Sequence, residues 1–286
     1  MKFERTFVNN FEGALIGMRN PLASWAKSDS LFGLSKYDDM PEYDVAYAWT
    51  EKMNPGLDIS SNSFADFQDQ YADWLRENGI LKFNEEKNDC VEYAFIGPND
   101  MDLAMRLCVA GPEHRKFLRQ IQVSVDITAP LYWWKEFDTY KVGTTANSTS
   151  TMHKLASTPI TLECFETDDF NSDLVYYSIL ECDIPTDYNI FTQNTIEMFA
   201  NIIIEQLEFL RQKYNKTKDK RYWKELVRWL PEGWLQTRTV TMNYENLRSI
   251  CGQRANHKLT EWHHFVEWAY ALPYAKQLIF DEKIAI

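Results

Sequence analysis

Residues 140–154, YKVGTTANSTSTMHK, decide how this sequence is read. The stretch holds no acid and no Arg, is dense in Ser and Thr, and carries one Gly, one Asn and one His. It follows a tryptophan pair in LYWWKEFDTY, residues 131–140. Two readings stand open. A Ser/Thr-rich turn can satisfy its own backbone through side-chain hydroxyls. The same residues can hold a ligand: Gly143 permits close approach, the hydroxyls of Thr144, Thr145, Ser148, Thr149 and Ser150 donate, and successive amides form an anion nest.

The flanking segments are more regular. Upstream, Ile121, Val123, Val125 and Ile127 alternate with Gln122, Ser124 and Asp126, which predicts a half-buried strand. Before it, a helix is expected over 100–110, stopped by Gly111-Pro112. Further upstream, Phe64, Phe67, Tyr71, Trp74 and Leu75 have helical spacing, with Gly79 as the stop. Residues 17–30 read as turn-rich, with cap-type Ser28, Asp29 and Ser30. Downstream, Ile196, Phe199, Ile203, Leu207, Leu210 and Tyr214 make one apolar stripe, so a long helix is expected over 194–214. A locally basic connection and a short amphipathic helix follow, ended at Leu230-Pro231. A strand over 237–242 and helices over 244–255 and 258–271 complete the pattern. No repeat and no linker rich in Pro, Gly or Ser interrupts it. One domain over 1–286 is expected, with a helical and turn-rich region over 1–100 and a core over 101–275.

Composition narrows the function classes. The 286 residues carry a formal net charge of −12, which argues against gripping a long nucleic acid but leaves room for one local phosphate pocket. Ten Trp, fifteen Tyr and seventeen Phe supply a large aromatic core. No apolar run is long enough to span a bilayer, and no signal peptide is read at the start, so a cytoplasmic protein is expected. The five cysteines are scattered without a CxxC and read as reduced thiols. Neither common nucleotide fingerprint, GxGxxG or GxxxxGK[ST], is present, and there is no GxSxG elbow. His263 and His264 are adjacent, so a helix turns them about a hundred degrees apart, and no metal site is expected.

Taken in order, the pieces resemble the flavin-dependent thymidylate synthases. In that family a Glu-His precedes a strand and a Pro-containing segment. The loop Arg-His-Arg-x-x-Ser-x-Asn-x-x-Ser-x-Arg-Tyr follows. Later come a Leu-Pro, a strand ending in Asn, and a helix whose essential Arg lies eleven residues after that Asn. Here Glu113-His114, the strand VSVDITAP at 123–130, Leu230-Pro231, Asn243 and Arg254 fall in that order. Thr145, Asn147 and Ser150 stand where the loop has Ser, Asn and Ser, and Glu261-Trp262 resembles the Gln-Trp that closes the last motif. The resemblance spans roughly 101–268.

The departures are chemical. With Asn147 as anchor, Tyr140, Lys141 and Val142 replace the Arg-His-Arg, and Met152-His153 replaces the Arg-Tyr. In a register shifted by one, Thr139-Tyr140-Lys141 takes that place instead. Either way Lys141 alone remains as a cation, and Lys cannot copy the planar fork of Arg. Glu245 replaces a second Arg in the late motif, and a carboxylate there would repel a nucleotide phosphate or a flavin pyrophosphate.

The resemblance implies an α+β fold with a mixed or antiparallel sheet flanked by long helices. It implies reductive methylation of dUMP, or a related pyrimidine nucleotide, with FAD, NADPH and methylene-tetrahydrofolate in a homotetramer. It implies Arg254 and Ser150 as catalytic residues, and His114, Lys141, Thr145, Asn147 and Asn243 as cofactor-binding residues. The lost cations leave an alternative: an altered or inactive relative that binds nucleotide or another protein. Trp133 and Trp134 are open to two readings, core or a stacking surface for a ring.

Overall fold

The computed structural model describes residues 1–35, 41–54, 56–77, 91–168, 175–176 and 194–280. In chain order the elements begin with β1 (Lys2–Asn9), α1 (Phe11–Arg19), β2 (Leu31–Ser35), α2 (Pro41–Met53), α3 (Asn62–Glu77), β3 (Val91–Phe95) and α4 (Pro98–Ala110). Then come β4 (Gln122–Pro130), α5 (Leu131–Phe137), β5 (Thr145–Ser148), α6 (Thr151–Lys154), β6 (Val175–Tyr176) and β7 (Asn194–Thr195). The chain continues through α7 (Ile196–Thr217), α8 (Lys220–Arg228), β8 (Leu235–Asn243), α9 (Tyr244–Arg254), α10 (Thr260–Tyr270) and α11 (Ala275–Leu278). Four strands share one sheet in the order β1-β4-β8-β5, and β2 pairs antiparallel with β3. This is an α+β architecture of a sheet with long helices. The expected stop at Gly79 lies outside the described residues.

The backbone clusters into two compact units. One comprises Met1–Glu4, Asp126–Thr139 and Ala146–Val240. The other comprises Arg5–Val125, Tyr140–Thr145 and Thr241–Ile286.

The first unit is built on α7. Its apolar stripe packs Ile203, Leu207 and Leu210 into a cluster with Leu155, Ile160, Leu226, Phe165 and Trp234. On the rim of that cluster Glu208 pairs with Arg211 at 2.6 Å and accepts the Ile160 N–H at 2.9 Å. The guanidinium bond, helped by that amide, holds the Glu208 carboxyl down at about 2. Trp133 and Trp134 are both 0% exposed and meet edge to face at 4.9 Å, with Phe137 stacked on Trp133 at 5.1 Å. Their rings therefore belong to the core and are not a stacking surface.

The second unit uses buried polar bonds to fix its frame. Asp100, 0% exposed, accepts from Arg19, Ser28 and Ser30. Asp29 caps α4 by accepting the Asn99 and Asp100 amides at 2.8 and 3.0 Å. Ser28, Asp29 and Ser30 are cap-type residues as read, and the helix they serve lies about seventy residues away, which no local pattern records. Gly97 is obligatory at that junction, because a Cβ would sit 2.2–2.6 Å from Asp29 atoms. Phe11 meets Tyr244 and Tyr274 edge to face at 5.8 and 5.5 Å.

Three expectations need correction. No strand was read before residue 101, yet β1, β2 and β3 lie there. β1 has no buried alternation to betray it, since only two of its eight residues are even half-buried. Asp126 was placed on a polar strand face, but it is 4% exposed and accepts the Thr239 hydroxyl at 2.6 Å. The residues around Asn147 are not a plain loop: 145–148 form β5, next to β8 in the sheet.

Candidate functional site

The helix α9 organises the candidate site. Its start is sealed by a reciprocal capping box: Asn243 Oδ1 accepts the Asn246 amide at 2.9 Å, and Asn246 Oδ1 accepts the Asn243 amide at 3.1 Å. Asn246 reaches further, donating Nδ2 to the Val142 carbonyl at 2.8 Å. Gly143 sits against the same side chain at φ +77, and a Cβ there would come within 2.9 Å of Asn246 Oδ1. The Thr144 hydroxyl folds back to donate to the Tyr140 carbonyl. So the turn at Val142–Gly143 is pinned to the first turn of α9.

The other end of α9 carries Arg254. Its Nε donates to the Tyr140 hydroxyl at 2.7 Å. The guanidinium carbon lies 4.6 Å from the centre of the Trp262 ring and 5.5 Å from that of Tyr140. Tyr140 and Trp262 meet edge to face at 6.0 Å, and Tyr140 also bonds Gln253 at 3.3 Å. Arg248, on the same helix, is buried and donates to the carbonyls of Leu278 and Ile279, a structural role. Between them Cys251 is fully buried, and burial pushes its thiol up to about 12.

Glu245 is not a bare carboxylate. Arg115 pairs with it at 2.8 Å, both side chains being mostly covered, and Arg115 also donates to the Cys108 carbonyl. The expected repulsion of a phosphate is therefore corrected, because the cation one residue after His114 neutralises the charge. His114 itself is exposed in a turn, its amide donating to the Gly111 carbonyl at 3.0 Å. Lys141 and Thr145 are exposed as well.

The remaining expected residues lie in the other unit. Asn147 is exposed on β5. Ser150 is the N-cap of α6, its hydroxyl accepting the His153 amide at 3.3 Å. Beside it Thr149 donates its amide to the Thr237 carbonyl at 2.9 Å and accepts from Gln236 at 2.9 Å. In that unit Arg238 lies 4.2 Å over the Trp134 ring and pairs with Asp138 at 2.7 Å.

The structure thus joins Tyr140, Asn243 and Arg254 around one helix. Reading the sequence missed the bond from Tyr140 to Arg254, although Tyr140 occupies the place of a loop cation. It also missed Arg115, whose signal was a cluster of charges at 113–116. Among the described residues no group of three or more His, Cys, Asp or Glu is placed to hold a metal, and no helix is long and apolar enough to cross a membrane.

No family model matches the chain, and no curated protein matches its sequence. Among solved structures, thymidylate synthase X (ThyX) from Helicobacter pylori, crystallised with FAD and dUMP, is similar over 99% of this chain and 99% of that chain. The TM-score is 0.53 and the identity 15%. The UMP/dUMP methylase PolB from Streptomyces cacaoi, bound with 5-Br UMP, is similar over 63% of this chain and 79% of that chain, at 14% identity and a TM-score of 0.43, too low to carry an argument. The first likeness shows the fold: this chain has the α+β fold of ThyX.

Proposed function

We propose that this chain is a ThyX-like pyrimidine-nucleotide methylase that binds dUMP, or a close relative of it, through Arg254. The observation that carries the reading is the end of α9. There one guanidinium lies against two rings that also meet each other, eleven residues after a capping Asn, on the fold of ThyX. A planar fork with five N–H donors suits a phosphate or the carbonyl edge of a pyrimidine.

The exposed donors expected from the sequence suit the phosphates of a flavin nucleotide in their chemistry. Lys141 offers an ammonium, Thr145 a hydroxyl and His114 an imidazole, all exposed. When bound, FAD supplies the hydride, with NADPH as its source and methylene-tetrahydrofolate as the one-carbon donor. The chain's own part is to bind and orient: Arg254 holds the nucleotide, and the ion pair of Arg115 with Glu245 keeps a bare carboxylate from opposing it. Asn243 serves by fixing the start of α9, and Ser150 by fixing the start of α6.

A homotetramer in the cytoplasm belongs to the same proposal. Met198, Phe199, Ile202 and Phe209 expose apolar surface along α7, which supports a partner helix there. Cys108, Cys164 and Cys251 are free thiols, in keeping with a reducing compartment.

The test is direct. The purified protein should be yellow, or become so with FAD, and its melting temperature should rise with dUMP. It should also rescue a thymidine-requiring cell. A colourless protein whose melting temperature moves with neither ligand overturns the reading. The alternative, a relative that binds nucleotide without methylating it, is favoured by the capping bonds that engage Ser150 and Asn243. It predicts a rise with dUMP, none with FAD, and no rescue.

A further inference from the structure

Arg254 is the last residue of α9, where a long cationic side chain ordinarily samples many rotamers. Here two neighbours restrain it differently. Trp262 is fully buried, so its ring is a fixed wall 4.6 Å from the guanidinium carbon. Tyr140 adds direction, because its hydroxyl accepts Nε–H at 2.7 Å. A bond at Nε sets the plane of the guanidinium and turns its two-pronged edge away from the phenol. The tyrosine is held in turn by its own backbone: its carbonyl accepts the Thr144 hydroxyl, and the next turn of the segment is fastened at the Val142 carbonyl by Asn246. The segment 140–144 therefore bonds to both ends of α9, at the Val142 carbonyl and at the Tyr140 hydroxyl.

We infer that Tyr140 is the positioning residue for Arg254: it presets the guanidinium plane so that a pyrimidine nucleotide meets an already oriented fork. This rests on the reading of Arg254 as the nucleotide-binding residue. Its chemical logic is preorganisation: an arginine ordered before binding loses less freedom when the ligand arrives. The device is this chain's own, since Tyr140 stands where the family's loop has a cation, or in the other register an imidazole. A neutral acceptor there orients the surviving cation and does not repel it.

The experiment uses the full chain and dUMP as the probe, with Tyr140→Phe, Arg254→Ala and the double variant. Tyr140→Phe keeps the ring and removes the acceptor for Arg254 together with the long, exposed bond to Gln253, so the fold is preserved and the melting temperature should stay put. Affinity for dUMP, titrated into the millimolar range, should fall about tenfold in Tyr140→Phe. In the Arg254→Ala background the same change should have no effect. Without ligand, the Arg254 Nε–H signal in a nitrogen-15 spectrum should shift and exchange faster with water in Tyr140→Phe. An unmoved signal, or an equal loss of affinity in both backgrounds, overturns the positioning role while leaving Arg254 in place. If Arg254→Ala binds dUMP as the wild type does, the reading of the site falls and the inference with it.

Discussion

The two parts of the stretch 140–154 differ in composition and in attachment. Residues 140–144 are fastened to a helix by side chains: Tyr140 to Arg254 and the Val142 carbonyl to Asn246, whose side chain leaves no room for a Cβ at Gly143. Residues 145–154 attach through backbone, in β5, in the bond from Thr149 to Thr237, and in the cap that Ser150 gives α6. Ser, Thr and Asn suit both tasks, because their short polar side chains serve ligands and backbones equally. The difference teaches that the hydroxyl-rich part of the segment serves strand and cap, whereas its tyrosine and the turn at Gly143 serve α9.

This contrast can be broken by substitution. The largest effect belongs to Arg254→Ala, which should weaken dUMP binding by roughly 3 kcal/mol, on the order of a hundredfold, in calorimetry. The melting temperature should barely change, since the residue is half-exposed at a helix end. Gly143→Ala should cost about 1–3 kcal/mol in urea unfolding. Its φ of +77 disfavours a Cβ, and the Asn246 amide at 2.9 Å is tied by the capping box and by Val142, so it cannot yield freely. Ser150→Ala should cost about 1 kcal/mol by the same measurement and leave dUMP affinity unchanged. If it abolishes binding with stability intact, the two halves do not divide as described.

A further effect concerns acid. Glu208 has its folded carboxyl held down at about 2, from an ordinary 4.5, chiefly by Arg211. Its contribution is complete above pH 4.5 and is lost as pH falls toward 2, where the unfolded chain binds the extra proton first. Glu208→Gln should therefore flatten the acid limb of stability between those values. An unchanged limb in a pH series of urea melts would remove Glu208 from the account.

Much of the fold was legible. α4, α7, α9 and α10 follow the 3.6 period and end near Gly or Pro signals or simple caps, so their bounds fall within a few residues of the reading. β4 and β8 show alternation or β-branching. β1 was not legible, because Lys2–Asn9 is largely exposed and owes its place to pairing in the sheet. In the site, the spacing from Asn243 to Arg254 was readable, since a helix fixes what eleven residues mean. The partners of Arg254 and Glu245 were not. Tyr140 lies 114 residues from Arg254, and Arg115 lies 130 residues from Glu245, separations at which sequence carries no geometric signal.

Cys251 lies one turn before Arg254, buried, with its thiol raised to about 12. At neutral pH it is protonated and shielded, hence inert to alkylating reagents while α9 stays seated. A reagent reaches it only when the helix lifts from its bed. The rate of alkylation thus counts those openings, and the chain carries within α9 a clock for that helix's own departures.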